Sequence, residues 1–183
     1  MSRIALPSPD TTPAASAPLL EKVREQLGVV PNLFRLVAIS PAGLEGFLGL
    51  FAALGKGSLD PKTRTRVALA VAGANHCNYC ASAHTYLARH VAKLDELEIE
   101  ANRAGHSLDE KAAAAVVFAR RIVETRGHVT KGEFDAVRQA GYSDPEIIEI
   151  ILHVALNTLT NYVNEAVLTD IDFPLVETAR AAA

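Results

Sequence analysis

Hydrophobic residues recur at every third or fourth position along most of the chain, as they do on one face of an α-helix. A clear example follows Ser40-Pro41, where apolar side chains fall at helical spacing: Leu44, Phe47, Leu48, Phe51 and Leu54. No stretch of useful length alternates polar and apolar residues in the manner of a β-strand. The pattern therefore predicts an all-α fold with about eight helices.

Helix-start and helix-stop residues place several boundaries. Asp60-Pro61 combines an N-cap residue with proline at the first helical position, which predicts a helix to about Ala74. Ser143-Asp144-Pro145-Glu146 is a similar start signal for a long last helix that ends near Leu168. Glycines suited to C-terminal caps follow four of the other helical patterns, at Gly28, Gly105, Gly127 and Gly141.

The chain divides into an arm, one domain and a short tail. Residues 1–17 are rich in Pro, Ser, Thr and Ala without periodicity, so they are predicted to form an extended N-terminal arm. Residues 18–176 fit a single hydrophobic core, since 183 residues is a usual size for one domain. Residues 177–183 are predicted to be a C-terminal tail.

Composition and charge narrow the class of protein. The chain is 49% hydrophobic but only 5% aromatic, which favours closely packed helices. Its 18 basic and 21 acidic residues are spread along the chain, so neither nucleic acid nor an anionic membrane is an expected partner. The N-terminus lacks the apolar core of a secretion signal, and the apolar runs are too short to span a membrane. We therefore expect a cytoplasmic protein.

The only two cysteines, Cys77 and Cys80, lie three residues apart, and His84 follows four residues later. On a helix these three side chains share one face. In a reducing compartment, a close-spaced pair is more often catalytic or metal-binding than a static crosslink. Three interpretations stay open at this point: a redox-active disulfide, a soft-metal site, or two small residues of a helical core.

Thiol chemistry requires an ionised sulfur, because the thiolate and not the thiol is the nucleophile. A helix N-terminus and a protonated imidazole both favour the thiolate. Gly73 and Asn75 weaken the helix before the pair, so the cysteines are predicted in the first turn of a new helix. Cys80 is then the better candidate nucleophile and Cys77 its resolving partner. This chemistry requires two sulfurs that are close enough to bond and open to an oxidant.

Two motifs carry a resemblance to a known family. They are Gly57-x-Leu59-Asp60-Pro61-Lys62-Thr63-Arg64 and Asn75-His76-Cys77-Asn78-Tyr79-Cys80-x-x-x-His84. Together they resemble the carboxymuconolactone decarboxylase superfamily, and within it the alkylhydroperoxidase D-like (AhpD-like), peroxidase-related branch. The resemblance covers roughly residues 25–175. It implies an AhpD-like helical bundle that assembles as a homo-oligomer, either a trimer or a hexamer.

The resemblance also implies an activity, that of a thiol-dependent peroxidase. Cys80 would be the peroxidatic cysteine that passes through a sulfenic acid. Cys77 would donate a proton and resolve the disulfide, while His84 would belong to a proton relay. The substrate would be a hydroperoxide, and an external dithiol or a thioredoxin-like protein would be the reductant. Neither an organic cofactor nor a metal is expected, and the chain contains no Gly-rich phosphate loop.

One position departs from the family pattern. The family usually places a glutamate twelve residues before the first cysteine, after an arginine, whereas here Arg64 is followed by Thr65. Because a hydroxyl has no carboxylate chemistry near neutral pH, we expect the peroxidase activity to be weakened or altered. Arg64 could attract a hydroperoxide or form a salt bridge at the surface or between subunits, Tyr79 could shape the substrate entrance or simply pack, and His153 could serve as a substitute acid.

A polar stripe on the last helix is the second unusual feature. Its members are spaced by four, four, four and three residues: Glu149, His153, Asn157, Asn161 and Asn164. Since buried polar groups need partners, this stripe should face another helix, a subunit or the active site. We interpret it mainly as a structural hydrogen-bond network, with an oligomer contact as its expected place.

Two other functions remain as alternatives. A cofactor-free decarboxylase of the same superfamily would stabilise a carbanion with polar residues and would have no need of adjacent thiols. A non-enzymatic helical oligomer could use the pair for redox sensing or zinc binding. A closed zinc site requires a well-placed fourth ligand, and the sequence has only one CxxC pair.

Overall fold

The computed structural model describes residues 2–178, and this part of the chain is helical without any strand. Its nine α-helices are α1 (Ala17–Leu27), α2 (Asn32–Val37), α3 (Pro41–Leu54), α4 (Pro61–Ala74), α5 (Asn78–Leu87), α6 (Glu96–Arg103), α7 (Glu110–Thr125), α8 (Lys131–Gln139) and α9 (Asp144–Val167). A 3-10 turn, Ala14–Ser16, precedes α1, and a π-helical turn, Ala88–Ala92, continues α5. The predicted all-α class is confirmed, with nine helices in the described residues instead of about eight.

The sequence signals for helix ends coincide with the ends that form. Asp60 accepts a hydrogen bond from the Thr63 amide at 2.9 Å and caps α4. Ser143 and Glu146 form the reciprocal capping box that starts α9. Gly28 ends α1 with φ at +76°, a left-handed conformation that glycine adopts without steric strain. Local side-chain chemistry therefore sets these boundaries.

Helix α4 lies at the centre of the molecule, in contact with α5, α6, α7 and α9. All six residues from Val67 to Ala72 are buried, as expected of a helix that is surrounded by other helices. One core cluster joins α4 to α7 and α9 through residues that include Val71, Phe118 and Ile150. The end of α4 is thereby fixed, and it is here that the chain turns into the cysteine motif.

A second core cluster surrounds the cysteines and is built by α2, α3, α5, α9 and the end of α4. Its buried members are Leu33, Phe47, Leu54, Ala72, Cys77, Tyr79, Cys80, Ala81 and Leu156. After α9 the chain returns across this cluster as residues 169–178, which we call the C-terminal strap. Phe173 and Val176 of the strap pack against the cluster. The cysteines therefore lie beneath a segment without regular secondary structure.

The N-terminal arm is attached to the domain along its length. The Arg3 amide donates to the carbonyl oxygen of Val167 at 2.7 Å, and the Ser16 hydroxyl donates to that of Ala38 at 2.7 Å. Of the predicted C-terminal tail, residues 177 and 178 belong to the strap, and residues 179–183 lie outside the described residues. Across residues 2–178, no helix has both the length and the apolar character that crossing a membrane requires.

Candidate active site

The chain places the two cysteines by a sharp change of direction after α4. His76 adopts a left-handed conformation with φ at +54°, which is uncommon for a residue with a side chain. The Cys77 amide then donates to the carbonyl oxygen of Ala72 at 3.0 Å, and Cys77 becomes the N-cap of α5. The Cys80 amide donates to Cys77 Sγ at 3.3 Å. The cysteines thus lie at the start of a new helix, as the sequence predicted.

Both cysteines are free thiols, and they interact directly. The Cys77 thiol donates a hydrogen bond to the Cys80 sulfur, and this bond, together with burial, raises the pKa of Cys77 far above its ordinary value. Burial acts to raise the pKa of Cys80 too, but the hydrogen bonds from the Cys77 thiol and Asn164, together with the nearby side-chain amide of Asn161, outweigh it, so that this pKa is lowered. Cys80 is therefore the more nucleophilic sulfur, and Cys77 keeps its proton.

Two asparagines of α9 complete the surroundings of Cys80. Asn164 Nδ2 donates to Cys80 Sγ at 3.2 Å. Asn161 also acts on this sulfur through its amide, while its Oδ1 accepts from Asn75 Nδ2 at 2.9 Å. Both side chains are almost completely buried, with Asn161 0% and Asn164 2% exposed. The polar stripe, which we interpreted mainly as a structural hydrogen-bond network at an oligomer contact, therefore faces the thiols at this end of α9.

His84 lies one turn after Cys80 and hydrogen-bonds with the side chain of Asn157. Burial lowers the pKa of His84 to about 4, and the bond to Asn157 opposes this only in part. The imidazole is therefore uncharged near neutral pH. The expectation that a protonated imidazole stabilises the thiolate is wrong for this site, because the Cys77 thiol and the Asn164 amide donate the hydrogen bonds to Cys80.

Thr65, which stands where the family pattern has a glutamate, makes its hydrogen bond within its own helix and not with the thiols. The Thr65 hydroxyl donates to the carbonyl oxygen of Pro61 in its own helix at 2.9 Å. The neighbouring Arg64 donates from Nη1 to the carbonyl oxygen of Leu54 at 3.1 Å, which ties α4 to the end of α3. The side chain that partners His84 is Asn157 of α9.

His153 belongs to a cluster with Arg64 and Glu149. Burial and the positive charge of Arg64 lower the pKa of His153 to about 4, with Glu149 opposing the shift. Its Nε2 atom is buried without a hydrogen-bond partner. Glu149 accepts from the backbone amides of Ser58 and Leu59 at 2.9 and 2.7 Å, so it holds the loop before α4. This half of the polar stripe thus has contacts with the loop and with Arg64.

Tyr79 connects three parts of the molecule around the cysteines. Its hydroxyl oxygen accepts from the Leu33 amide at 3.1 Å, which links α5 to α2. Its ring packs edge-on against Phe173 of the C-terminal strap, with 5.9 Å between ring centroids. Burial raises the pKa of Tyr79, so the phenol stays protonated.

The site is closed to solvent in this conformation. Cys77 is 0% and Cys80 is 3% exposed. The strap is fastened over α5 by two hydrogen bonds, from the Thr178 amide to Asn78 Oδ1 and from the Val176 amide to Ser82 Oγ, both 2.9 Å long. The expectation that the sulfurs are open to an oxidant is therefore not met here, because the strap and the surrounding aliphatic side chains cover them.

A cleft of about 470 Å³ lies on the surface beside His76, between the ends of α4 and α6, helix α7 and the strap. Its lining carries both signs of charge, including Arg103, Arg120, Glu100 and Glu177. Among residues 2–178, no three His, Cys, Asp or Glu side chains are grouped so that they could hold a metal ion. The zinc-binding alternative thus finds no ligand set in the described part of the chain.

Two of the site residues, Asn161 and Asn164, were not among the candidates taken from the sequence. The signal that could have identified them is the spacing of polar residues on an otherwise apolar helix. That spacing fixes a shared face, but it does not indicate which neighbour the face meets.

Comparison with known proteins identifies a matching family and similar solved structures. Residues 41–125 match the carboxymuconolactone decarboxylase family. A peroxidase-related protein from Ralstonia eutropha JMP134, with an alkylhydroperoxidase AhpD core, superimposes with a TM-score of 0.84 at 24% identity over 93% of this chain and 92% of that chain. An uncharacterized peroxidase-related protein from Silicibacter sp. TM1040 gives 0.81 at 24% identity over 92% and 91%.

A third similar structure has a different activity in its name. It is a cysteine-to-alanine variant of the debrominase Bmp8 in complex with 2,3,4-tribromopyrrole, with a TM-score of 0.79 at 22% identity over 94% of both chains. No curated protein matches this chain. At these identities the structural likeness establishes the fold, which is the AhpD-like fold predicted from the sequence.

Proposed function

We propose that the protein is a thiol-dependent peroxidase that reduces hydroperoxides through Cys80 and Cys77, since residues 41–125 match the carboxymuconolactone decarboxylase family and the chain has the AhpD-like fold. The observation that carries this proposal is the unequal sulfur pair, in which the pKa of Cys80 is lowered and that of Cys77 is raised. Such a pair combines a nucleophile with an acid, and peroxide reduction requires both.

The first step transfers an oxygen atom. The Cys80 thiolate attacks the terminal oxygen of the hydroperoxide, a sulfur–oxygen bond forms, and the oxygen–oxygen bond breaks. Cys80 becomes a sulfenic acid that retains the hydrogen of the peroxide, and the departing alkoxide takes the proton of the Cys77 thiol. Proton delivery is important because a lower thiol pKa also lowers the intrinsic nucleophilicity of the thiolate.

The second step closes the disulfide. The Cys77 thiolate attacks the Cys80 sulfur and displaces hydroxide, which takes a proton from solvent and leaves as water. An external dithiol then reduces the Cys77–Cys80 disulfide by thiol–disulfide exchange and is itself oxidised. A reducing compartment such as the cytoplasm would supply this reductant, and we propose that location for the protein.

His84 and Asn157 are the proposed second part of the proton path. A neutral imidazole can accept a proton on one nitrogen and give one up from the other, and Asn157 fixes its orientation. Asn157 thereby takes the positioning role that the missing glutamate has in the family pattern. An amide cannot exchange a proton as a carboxylate can, so turnover slower than that of glutamate-containing relatives is expected.

The reaction requires the C-terminal strap to move, since Cys80 is buried in the closed conformation. The strap is held by a few hydrogen bonds and by the side chains of Phe173 and Val176. Segments with few buried contacts open at low free-energy cost. We therefore propose that substrate reaches Cys80 when this segment swings away from α5.

The test is peroxide consumption by the purified protein with dithiothreitol as reductant. Wild type should consume hydrogen peroxide or tert-butyl hydroperoxide, and Cys80→Ser should lose this activity while keeping its helical circular-dichroism spectrum. Cys77→Ser should instead accumulate a sulfenic acid that dimedone labels, because the resolving thiol is absent. A wild-type protein that leaves both peroxides unconsumed and never labels with dimedone would refute the proposal.

Reductive debromination is a second candidate, favoured by the likeness to the debrominase Bmp8 over 94% of both chains. Replacing a carbon–bromine bond by carbon–hydrogen requires two electrons and a proton, and a dithiol that becomes a disulfide supplies two electrons. Bromide release from 2,3,4-tribromopyrrole in the same assay distinguishes this activity from peroxide reduction. A decarboxylase, by contrast, would act on a lactone carboxylate with both cysteines replaced by serine.

We also propose that the protein acts as a homo-oligomer. Helix α9 exposes an apolar stripe on the face away from the site: Ile148, Leu152, Leu159 and Tyr162, each at least 39% exposed. Contiguous apolar surface of this kind is typical of protein–protein contacts. A second copy of the chain is the proposed occupant, in keeping with the expected trimer or hexamer.

A further inference from the structure

Beside the Cys80 sulfur, the protein leaves one buried donor and one buried acceptor without a partner. The donor is Asn161 Nδ2 and the acceptor is Asn164 Oδ1. We propose that these two amides form a two-point cradle for the oxygen atoms of a small, uncharged hydroperoxide. This inference rests on the proposed peroxidase function, and it identifies the place where the substrate of that reaction binds.

Orphaned polar atoms of this kind are rare in protein interiors, where nearly all buried polar groups find partners. Here two of them belong to side chains that are 0% and 2% exposed, on neighbouring turns of one helix. Both side chains also act on the same sulfur. Because both unpartnered atoms lie beside the same nucleophilic sulfur, we infer that they bind a ligand there during the reaction.

The orientation of each amide follows from its other contact. Asn161 Oδ1 accepts from Asn75 Nδ2, so the Nδ2 of Asn161 is the atom left for a ligand. A thiolate only accepts hydrogen bonds, so Asn164 must turn its Nδ2 toward Cys80, which leaves its Oδ1 free. The donor and the acceptor are therefore not interchangeable.

A hydroperoxide matches this arrangement atom by atom. Its O–H group donates to Asn164 Oδ1, and an oxygen lone pair accepts from Asn161 Nδ2. When Cys80 takes the terminal oxygen, the sulfenic O–H remains between the same two atoms, while the alkoxide leaves with the proton of Cys77. The cradle thus contacts the reacting oxygen before and after the oxygen–oxygen bond breaks.

The charge around Cys80 favours a neutral oxidant. The cradle consists of amides and a thiol. The negative charge of Glu165 acts on both sulfurs in the direction that raises a thiol pKa, although the hydrogen bonds to Cys80 keep its pKa lowered. A negative charge nearby repels anions. The rate enhancement over free cysteine should therefore be larger for hydrogen peroxide and small alkyl hydroperoxides than for an anionic oxidant such as peroxymonosulfate.

The experiment replaces each cradle amide by an apolar side chain of similar size, as Asn161→Leu and Asn164→Leu. Thr160→Val is the matched control, because Thr160 is a buried α9 residue whose hydroxyl donates to the carbonyl oxygen of Asn157. For every variant, two second-order rate constants of Cys80 are measured in the Cys77→Ser background across pH. One is for hydrogen peroxide and the other is for iodoacetamide, which needs the thiolate but presents no hydroperoxide.

The ratio of the two rate constants, taken where the thiolate is fully formed, is the decisive quantity. It should fall about ten- to a hundredfold in each leucine variant, as expected when a buried hydrogen bond to a charged or reacting group is lost, and stay unchanged in Thr160→Val. The pH profile of Asn164→Leu should also move about one pH unit higher, because the sulfur loses a hydrogen bond. Alanine at either position serves as the second variant if leucine prevents folding.

The outcomes separate the cradle from the function on which it rests. If wild type reacts with peroxide but the ratio is the same in all variants, the cradle is wrong and the peroxidase proposal stands. If iodoacetamide alkylates Cys80 normally and no peroxide reacts, both are wrong. A larger rate enhancement over free cysteine for peroxymonosulfate than for hydrogen peroxide would also overturn the neutral-substrate assignment.

Discussion

Gly73 permits the closest approach between two helices near the site. A Cβ atom built on Gly73 would lie 2.0 Å from the carbonyl oxygen of Arg103, at the end of α6. This neighbour is backbone, so it cannot move aside as the end of a flexible side chain can. Gly73 stands three residues before His76, where the chain turns toward the cysteines. A small residue here therefore fixes both the helix packing and the entry into the motif.

We predict that Gly73→Ala lowers the free energy of unfolding by about 2–3 kcal/mol, in the upper range of overpacking. Gly49→Ala is the control, because a Cβ at Gly49 in α3 meets open space. The control should gain about 0.5–1 kcal/mol from the better helix propensity of alanine. Urea unfolding measures both changes. Equal stability of the two variants would show that α4 and α6 separate easily.

His153 gives the protein a defined sensitivity to acid. Its pKa is about 4 in the folded protein, against an ordinary value of 6.5, because of burial and the charge of Arg64. Between these two pH values the unfolded chain binds a proton that the folded protein does not. The contribution to stability is therefore complete above pH 6.5 and is lost as the pH falls toward 4.

We predict that His153→Leu makes the dependence of stability on pH between about 6.5 and 4 less steep, while the part that comes from His84 remains. In wild type, the lowered pKa of His153 corresponds to a loss of roughly 3 kcal/mol in the free energy of unfolding as the pH falls through this window. The variant has no imidazole at this position and should not show this loss. Urea unfolding at several pH values gives the comparison. Identical slopes for the two proteins would mean that His153 charges freely in the folded state.

At the scale of elements, the C-terminal strap covers the thiols. Phe173 contacts both Tyr79 and Tyr86 of α5, with 5.9 Å between ring centroids in each pair. Leu175, two residues later, is 62% exposed. One side chain of the strap therefore holds it closed, while its neighbour faces solvent.

We predict that Phe173→Ala raises the rate of Cys80 alkylation by iodoacetamide at least several-fold, because the strap opens more often. Leu175→Ala is the matched control and should alkylate at the wild-type rate. Circular dichroism should show the same helix content in both variants. An unchanged rate in Phe173→Ala would locate the path to Cys80 elsewhere in the surrounding cluster.

The elements that the sequence predicted well are those with local signals. The caps at Asp60 and Ser143 satisfy backbone amides within three residues, so the starts of α4 and α9 could be placed without knowledge of the fold. The strap carries no such signal, because its conformation depends on hydrogen bonds to Asn78 and Ser82 about a hundred residues earlier. Its role was therefore not predictable from the sequence pattern.

The candidate active site was also predictable only in the part that has a local sequence signal. The spacing of Cys77 and Cys80 was enough to predict their adjacency at a helix start. The difference between their pKa values depends on Asn161 and Asn164, more than eighty residues away on α9. No periodicity along the chain indicates which helix will meet the thiols.

At the scale of the whole molecule, α9 connects the site with the outer surface. One face carries Asn161 and Asn164 against Cys80. The opposite face carries the exposed apolar stripe, whose members recur at intervals of four, seven and three residues. This recurrence follows the seven-residue repeat of helices that pair along a seam. An oligomer built through the stripe would hold the helix that positions both cradle amides.

We predict that Leu159→Glu converts the oligomer to monomers, because a charge in the middle of the stripe would be buried unpaired at the contact. Leu97→Glu is the control, since Leu97 is 69% exposed on α6 and lies outside the stripe. Sedimentation velocity gives the mass of each variant. If Leu159→Glu keeps the mass of wild type, the stripe is not the contact. If Leu159→Glu is monomeric and Cys80 alkylates faster in it than in Leu97→Glu, the partner subunit helps to hold α9 against the thiols.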